Sequence, residues 1–427
     1  MSNLGDLIAL YCPNGVPRKA LGELGKFYGG LTGKSKDDFT DGNAKFITYR
    51  NVYSNPALMI DVPDRVKIAE GEKQRTLQYG DVIFTGSSET PDECGISSVV
   101  TTRTEEKLYL NSFCFFFRFD DIGVMLPDFA KHLFRSNDLR YQIGKTASGV
   151  TRYNVSKKLM EKVVIPLPPL SVQSEIVRIL DNFTELTAEL TAELTARKKQ
   201  YEFYRDKLLT FDSNITIEKI GNLTEVFSAA RVHRDEWTET GVRFWRSSDV
   251  ISAFNGVPNS RGNAYISYDL YEKLVERSGK IQKGDVLVTG GGTIGIPYVV
   301  PDDEPLYVKD ADLIDIKKCD CLHSRYIYHY FLSSTFRQYL SNITHDATIP
   351  HYTISQVKET PIPVPPYDVQ ERLVNLLDNF DAICSDLNIG LPAEIEARQK
   401  QYEFYRDALL TYAATGKTIL RQTSLMA

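Results

Sequence analysis

The sequence of 427 residues carries a long internal duplication, which limits the chain to folds in which one plan is built twice. Ile165-Pro-Leu-Pro-Pro-Leu170 returns as Ile362-Pro-Val-Pro-Pro-Tyr367. Val172-Gln173 returns as Val369-Gln370, and Leu180-Asp-Asn-Phe183 as Leu377-Asp-Asn-Phe380, all at one constant offset. Gln200-Tyr-Glu-Phe-Tyr-Arg-Asp206 then returns as Gln401-Tyr-Glu-Phe-Tyr-Arg-Asp407, displaced by four further residues. Between these anchors the first copy contains Thr-Ala-Glu-Leu twice, at 187–190 and 191–194. Fainter echoes link Gly80-Asp-Val-Ile-Phe-Thr-Gly86 to Gly284-Asp-Val-Leu-Val-Thr-Gly290, and Leu21-Gly-Glu-Leu24 to Ile220-Gly-Asn-Leu223. The order is globular, helical, globular, helical.

Pro168-Pro169 and Pro365-Pro366 block helix upstream, so Ser171 and Asp368 are expected as helix N-caps, with Glu371 completing a capping box in the second copy. Ile176, Leu180, Phe183, Leu190, Leu194, Tyr201, Tyr204 and Leu208, with Thr187 and Arg197 in the gaps, recur at alternating steps of four and three. That is a heptad seam, and residues 172–209 predict a rod of roughly 57 Å. Gly390 and Pro392 predict a break near 389–391 in the second copy. The globular parts read as mixed and strand-rich. Residues 81–85, 113–119, 285–289 and 298–300 are expected as strands, and 129–134 and 325–340 as helical.

Composition matters mainly for what it excludes. No run of 18 apolar residues is present, so no membrane span is expected, and the N-terminus lacks a basic region that would suggest a signal peptide. The six cysteines are scattered, as in a protein with reduced cytosolic thiols, and Cys319-Asp320-Cys321 lacks the second pair of a zinc site. The net charge of −6 argues against a free-standing nucleic-acid binder, but not against local basic patches or a basic partner.

Motifs that mimic catalysis fail on context. Gly290-Gly-Gly-Thr-Ile-Gly295 fits G-x-G-x-x-G, but the following Ile296-Pro297-Tyr-Val-Val300 reads as strand, where a dinucleotide site needs a helix N-terminus. Gly33-Lys34-Ser35 and Gly416-Lys417-Thr418 have Tyr28 and Thr411 where a P-loop needs glycine. Asn55-Pro56-Ala57 is not an adenine-methyltransferase loop. His345, Asp346, His351 and Cys321 form no triad or metal motif, so no catalytic, cofactor or metal residue is assigned.

The paired helices, each preceded by Ile-Pro-x-Pro-Pro and ending in Gln-Tyr-Glu-Phe-Tyr-Arg-Asp, resemble the specificity subunit of type I restriction–modification systems. The tetrapeptide repeat strengthens the likeness. The resemblance implies an α+β, pseudo-twofold tandem repeat: two mixed, strand-rich recognition domains separated by two long antiparallel coiled-coil helices. On this plan residues 1–158 are the first target recognition domain and 159–211 the central spacer helix. Residues 212–357 are the second recognition domain, and 358–427 the distal helix and tail. The resemblance further implies a non-catalytic cytoplasmic subunit whose domains each read half of a bipartite site on double-stranded DNA. Its helices would dock two methyltransferase subunits, which hold S-adenosylmethionine and methylate adenine N6; restriction subunits would add ATP- and Mg-dependent cleavage. A coiled-coil scaffold that gathers proteins without reading DNA is the alternative.

The family also links the number of tetrapeptides to the length of the unread gap. Four helical residues advance about 6 Å and turn roughly 40° past a full turn. B-DNA turns about 34–36° per base pair. The angle matches one base-pair step, whereas the advance exceeds the roughly 3.4 Å rise.

Direct reading of DNA needs side chains at base edges backed by phosphate contacts. In the first half the candidates are Lys34, Lys36, Arg50, Asn51, Ser87, Ser88, Lys145, Thr151, Arg152, Tyr153 and Asn154. In the second they are Arg231, Arg234, Arg246, Ser247, Ser248, Gly291, Thr293, His345, His351, Tyr352 and Thr353. Arg152, Tyr153, His351 and Tyr352 lead, because they lie in loops at similar places before the two Pro-rich segments.

Overall fold

A computed structural model describes residues 6–7, 10–12, 15–211, 214–344, 350–385 and 389–415. The fold is α+β and is built twice, as two compact units: Met1–Ala188 with Glu396–Ala427, and Glu189–Ile395. The unit boundaries therefore fall inside the long helices, one of them within the first Thr-Ala-Glu-Leu.

The two units share two sheets and a terminal strand pair, while the small sheet of Ala147–Ser148, Tyr153–Val155 and Ser87–Ser88 occurs, among the described residues, in the first unit alone. In the first, an antiparallel sheet has the order Gly25–Gly29, Cys114–Phe119, Val82–Thr85, Ser97–Val99. Its counterpart in the second is Val226–Ser228, Leu313–Ile316, Val286–Thr289, Pro297–Val299. Val82–Thr85 and Val286–Thr289 are buried at every position, which explains their unbroken apolar runs. A second sheet in each unit contains one parallel pair, Ala44–Ile47 with Leu108–Leu110 and Val242–Trp245 with Leu306–Val308. Finally, Arg18–Ala20 pairs with Val164–Pro166, and Ile217–Lys219 with Pro361–Pro363. Each Pro-rich segment thus closes its globular part onto that part's first strand.

The central helix runs unbroken over Leu170–Leu208. The distal helix is in two pieces, Tyr367–Ser385 and Leu391–Thr415, separated around Gly390 as the sequence predicts. Both starts lie two residues earlier than the expected caps Ser171 and Asp368 would place them. The Pro169 and Pro366 carbonyls accept from Gln173 N–H and Gln370 N–H, each at 3.0 Å, so the prolines cap the helices. Asp368 forms no capping box and instead accepts from Arg372 at 2.6 Å. The span 325–340 is also two helices, Ser324–Leu332 and Ser334–Thr344, parted at Ser333.

The repeated motifs tie helices to globular parts. Gln173 is fully buried, accepts from Leu126 N–H at 2.8 Å and donates to the Val124 and Pro168 carbonyls. Gln370 does the same with His323 N–H, Cys321 O and Pro365 O. The phenylalanine of Leu-Asp-Asn-Phe stacks on the second tyrosine of Tyr-Glu-Phe-Tyr: Phe183 on Tyr405 in one unit, Phe380 on Tyr204 in the other. Asp407 and Asp206, which end that motif, accept from Asn137 N–H and Ser334 N–H at the starts of globular helices.

Candidate nucleic-acid interface

Three segments meet at the same place in each unit. In the first unit, the Gly86 carbonyl accepts from Val155 N–H at 2.9 Å, and Ser87–Ser88 pairs with Tyr153–Asn154. Tyr49 OH, on the short helix Tyr49–Ser54 that carries Arg50, donates to Ser87 O at 2.9 Å. In the second unit, the Gly290 carbonyl accepts from Tyr352 N–H at 2.9 Å. The Asp312 carbonyl accepts from Gly290 N–H and from Ser247 Oγ, at the start of helix Ser247–Asn255. The two glycines are required because a Cβ on Gly86 would meet Phe113 O at 2.6 Å, and one on Gly290 would meet Tyr352 O at 2.8 Å.

The first-unit cluster presents Arg50, Thr151, Arg152 and Asn154 exposed, with Ser88 and Tyr153 partly so. Arg152 Nε and Nη2 donate to Ser87 Oγ at 3.2 and 3.0 Å, and its guanidinium lies 5.6 Å from the centre of the Phe113 ring. Phe113 is 58% exposed and was not singled out from the sequence. Ser88 Oγ donates to Glu93. In the second-unit cluster His351 and Thr293 are exposed and Gly291 is buried, its absent Cβ 4.0 Å from His351 Nδ1.

Several expected contacts are corrected by burial. Tyr352 is 1% exposed; its ring packs beside Phe331 and Phe336, and its hydroxyl bonds Thr360 Oγ1. A loop aromatic here turned inward because the Gly290 pairing fixes its backbone at the sheet. Asn51 is buried and holds both Met59 N–H and Met59 O. Ser247 is buried on Asp312 O, and Ser87 is covered by Arg152. Arg246 is spent on Asp249 and Gly262 O. Lys34 has a side chain only 9% exposed and is paired with Glu72 at 2.7 Å; that bond, with those from Ala69 and Gln74, holds the Glu72 carboxyl at about 2.

Other candidates lie apart from the clusters. Lys36 is exposed on the turn Lys36–Phe39, and Lys145 lies over Tyr141 at the end of helix Asn137–Gly144. Arg231 and Arg234 are exposed on or beside the turn Arg234–Glu236. Ser248 accepts from Asn259, and Thr353 caps helix Ile354–Glu359 through Gln356 N–H. His345, Asp346 and Gly416-Lys417-Thr418 lie outside the described residues. The glycine-rich loop leads from Val286–Thr289 into the strand Pro297–Val299, so it forms a hairpin and does not open a helix. Among the described residues no His/Cys/Asp/Glu group is arranged to hold a metal ion, and no helix is long and apolar enough to cross a membrane.

The duplicated frame with matching loop clusters corresponds to a known family. The type I restriction modification DNA specificity domain matches twice, over residues 13–200 and 213–397. The chain belongs to this family. It is 34% identical over 276 residues to a Haemophilus influenzae protein named as a type I restriction enzyme specificity subunit, covering 62% of this chain and 68% of that one. It is 32% identical over 274 residues to the type I restriction enzyme EcoR124I/EcoR124II specificity subunit of Escherichia coli, covering 60% and 65%. The match thus spans about two thirds of the length of each relative. A solved structure described as showing complex assembly and conformational transition of the type I restriction–modification system shares the fold. Its TM-score is 0.60 at 18% identity, covering 94% of this chain and 98% of that one.

Proposed function

We propose that this specificity chain reads a bipartite sequence in double-stranded DNA, one half-site per globular part. The observation that supports the reading is the recurrence of one three-segment cluster at equivalent places in both units, each holding exposed polar side chains just past the end of a buried central strand, Val82–Thr85 or Val286–Thr289. Rigid support of this kind is what discrimination between base edges requires. Within the clusters, Arg152, Tyr153 and Asn154 in the first unit and His351 in the second are the residues we assign to DNA.

The helices set the gap and dock two methyltransferase subunits. In the repeated Gln-Tyr-Glu-Phe-Tyr-Arg-Asp, both tyrosines, the arginine and the aspartate make contacts inside the chain. The phenylalanines lie against side chains of their own helix, Phe203 beside Tyr204 and Lys207 and Phe404 beside Tyr405, and stay open to solvent: Phe203 is 61% and Phe404 44% exposed. An exposed aromatic kept in two identical heptapeptides fits one kind of partner bound twice. Those partners supply S-adenosylmethionine and adenine methylation, and restriction subunits supply ATP- and Mg-dependent cleavage. The chain itself acts without a cofactor, in the cytoplasm where the DNA is.

The test is a methylome. The chain is co-expressed with its methyltransferase partner in a methylation-free host, and N6-methyladenine is mapped. Two short half-sites around a fixed gap are expected. A correctly assembled complex that adds no methylated motif would leave the chain as a protein scaffold.

A further inference from the structure

The first unit contains two cations that no assignment above uses, Arg75 and Lys157. The Arg75 guanidinium carbon stands 4.5 Å from the centre of the Tyr28 ring. Lys157 Nζ stands 5.6 Å from the centre of the Phe115 ring, and 3.5 Å from where a Cβ of Gly29 would lie. Tyr28 and Gly29 are neighbours on the edge strand Gly25–Gly29, and Gly29 pairs with Phe115. Both cations therefore reach the same end of this strand pair, Arg75 from the face that carries Tyr28 and Lys157 from the face that carries Phe115. That end adjoins the cluster, because Gly86 lies against both Phe113, which carries Arg152, and Phe115, which carries Lys157.

Neither Arg75 nor Lys157 has a carboxylate partner among the described residues. Elsewhere in the unit, well-placed cations are paired: Lys34 with Glu72, Arg118 with Asp81, Lys131 with Asp128 and Asp181. Burial, and then the charge of Arg75, hold the Lys157 ammonium below its usual range. Two like charges that flank one strand end without a counter-ion repel each other in the free protein, and an anion set at the strand edge within reach of both relieves the repulsion. The aromatic faces keep both side chains extended at the surface. Arg152, whose guanidinium donates to the neutral Ser87 hydroxyl, continues the basic edge toward the reading cluster.

We propose that Arg75 and Lys157 form a phosphate clamp that holds the DNA backbone beside the reading cluster of the first globular part. The clamp rests on the DNA-reading function proposed above. It sets register and carries no sequence information, as phosphate contacts do.

The test uses the full chain assembled with its methyltransferase partner, a mixed-sequence duplex as probe, and the variants Arg75→Gln and Lys157→Gln. Each variant is expected to bind several-fold more weakly at low salt. Each should also flatten the plot of log affinity against log salt by about one. The methylated motif and the thermal midpoint should stay as in the parent. Parent-like affinity and slope in both variants would overturn the clamp while leaving DNA reading intact. A changed base preference at one half-site would overturn it by making these residues readers. Failure of the unaltered assembly to bind the duplex at low salt would overturn both the clamp and the function beneath it.

Discussion

His132 and His329 each stand between a carboxylate and a phenol. His132 Nε2 meets Asp181 at 2.8 Å and its Nδ1 meets Tyr402 OH at 2.8 Å; His329 meets Asp378 at 2.7 Å and Tyr201 OH at 2.9 Å. A neutral ring satisfies both neighbours, with Nε2–H donating to the carboxylate and the phenol donating to Nδ1. Burial, against the pull of the aspartates, lowers both histidine pKa values. The unfolded chain therefore takes up these protons first, near its ordinary value of about 6.5. Stability is full above that pH and falls as the pH drops from there toward the folded values. The denaturant midpoint should decline between pH 7.5 and 5, and replacing both histidines by glutamine should flatten the decline; an equally steep decline in the double variant would contradict the assignment. Asp378 belongs to a lower window. Burial would raise its pKa, but hydrogen bonds from His329 and Arg325 and the Arg325 charge hold it at about 2. Its contribution is lost only as the pH falls from about 4 toward that value. None of this was legible in sequence, since His132 and Tyr402 lie far apart in the chain. Tyr352 was misjudged for a related reason: an aromatic in a loop does not reveal which way it points.

The elements themselves were more legible. The Pro-Pro pairs, the heptad steps and the Gly390 break located the helices to within a few residues. The seam is visible as partial burial at Phe183, Thr187, Leu190 and Leu194 against exposed neighbours. The apolar runs located the central strands, but strands of two or three residues, such as Ser87–Ser88, left no pattern to read. The repeated Val-Gln was found without its reason, which is that the glutamine pins each long helix to a globular part. Gln370→Ala should strand Cys321 O, His323 N–H and Pro365 O without a side-chain partner. We expect a loss on the order of 2–3 kcal/mol, read as a lower urea midpoint. Gln173→Ala should act alike in the other unit. A loss of a few tenths in both would mean that the glutamines are ornaments of the fold and do not fasten it.

For the whole molecule, the duplication decides the architecture and the surface decides the role. On the proposed DNA-reading function, the net charge of −6 calls for local basic edges, such as Arg152 with Arg75 and Lys157, and for partners that supply the rest of the phosphate neutralisation. The unbroken helix Leu170–Leu208 passes from one compact unit to the other inside the tetrapeptide repeat. Residues gained or lost there alter the length of helix between two bodies whose own contacts lie elsewhere. The most direct measurement is therefore a methylome of the assembled complex after deletion of Thr187–Leu190, compared with the parent. The predicted result is the same two half-sites with a shorter gap between them. An unchanged gap in an intact assembly, or altered half-sites, would contradict the account of two independent readers held apart by a helical spacer.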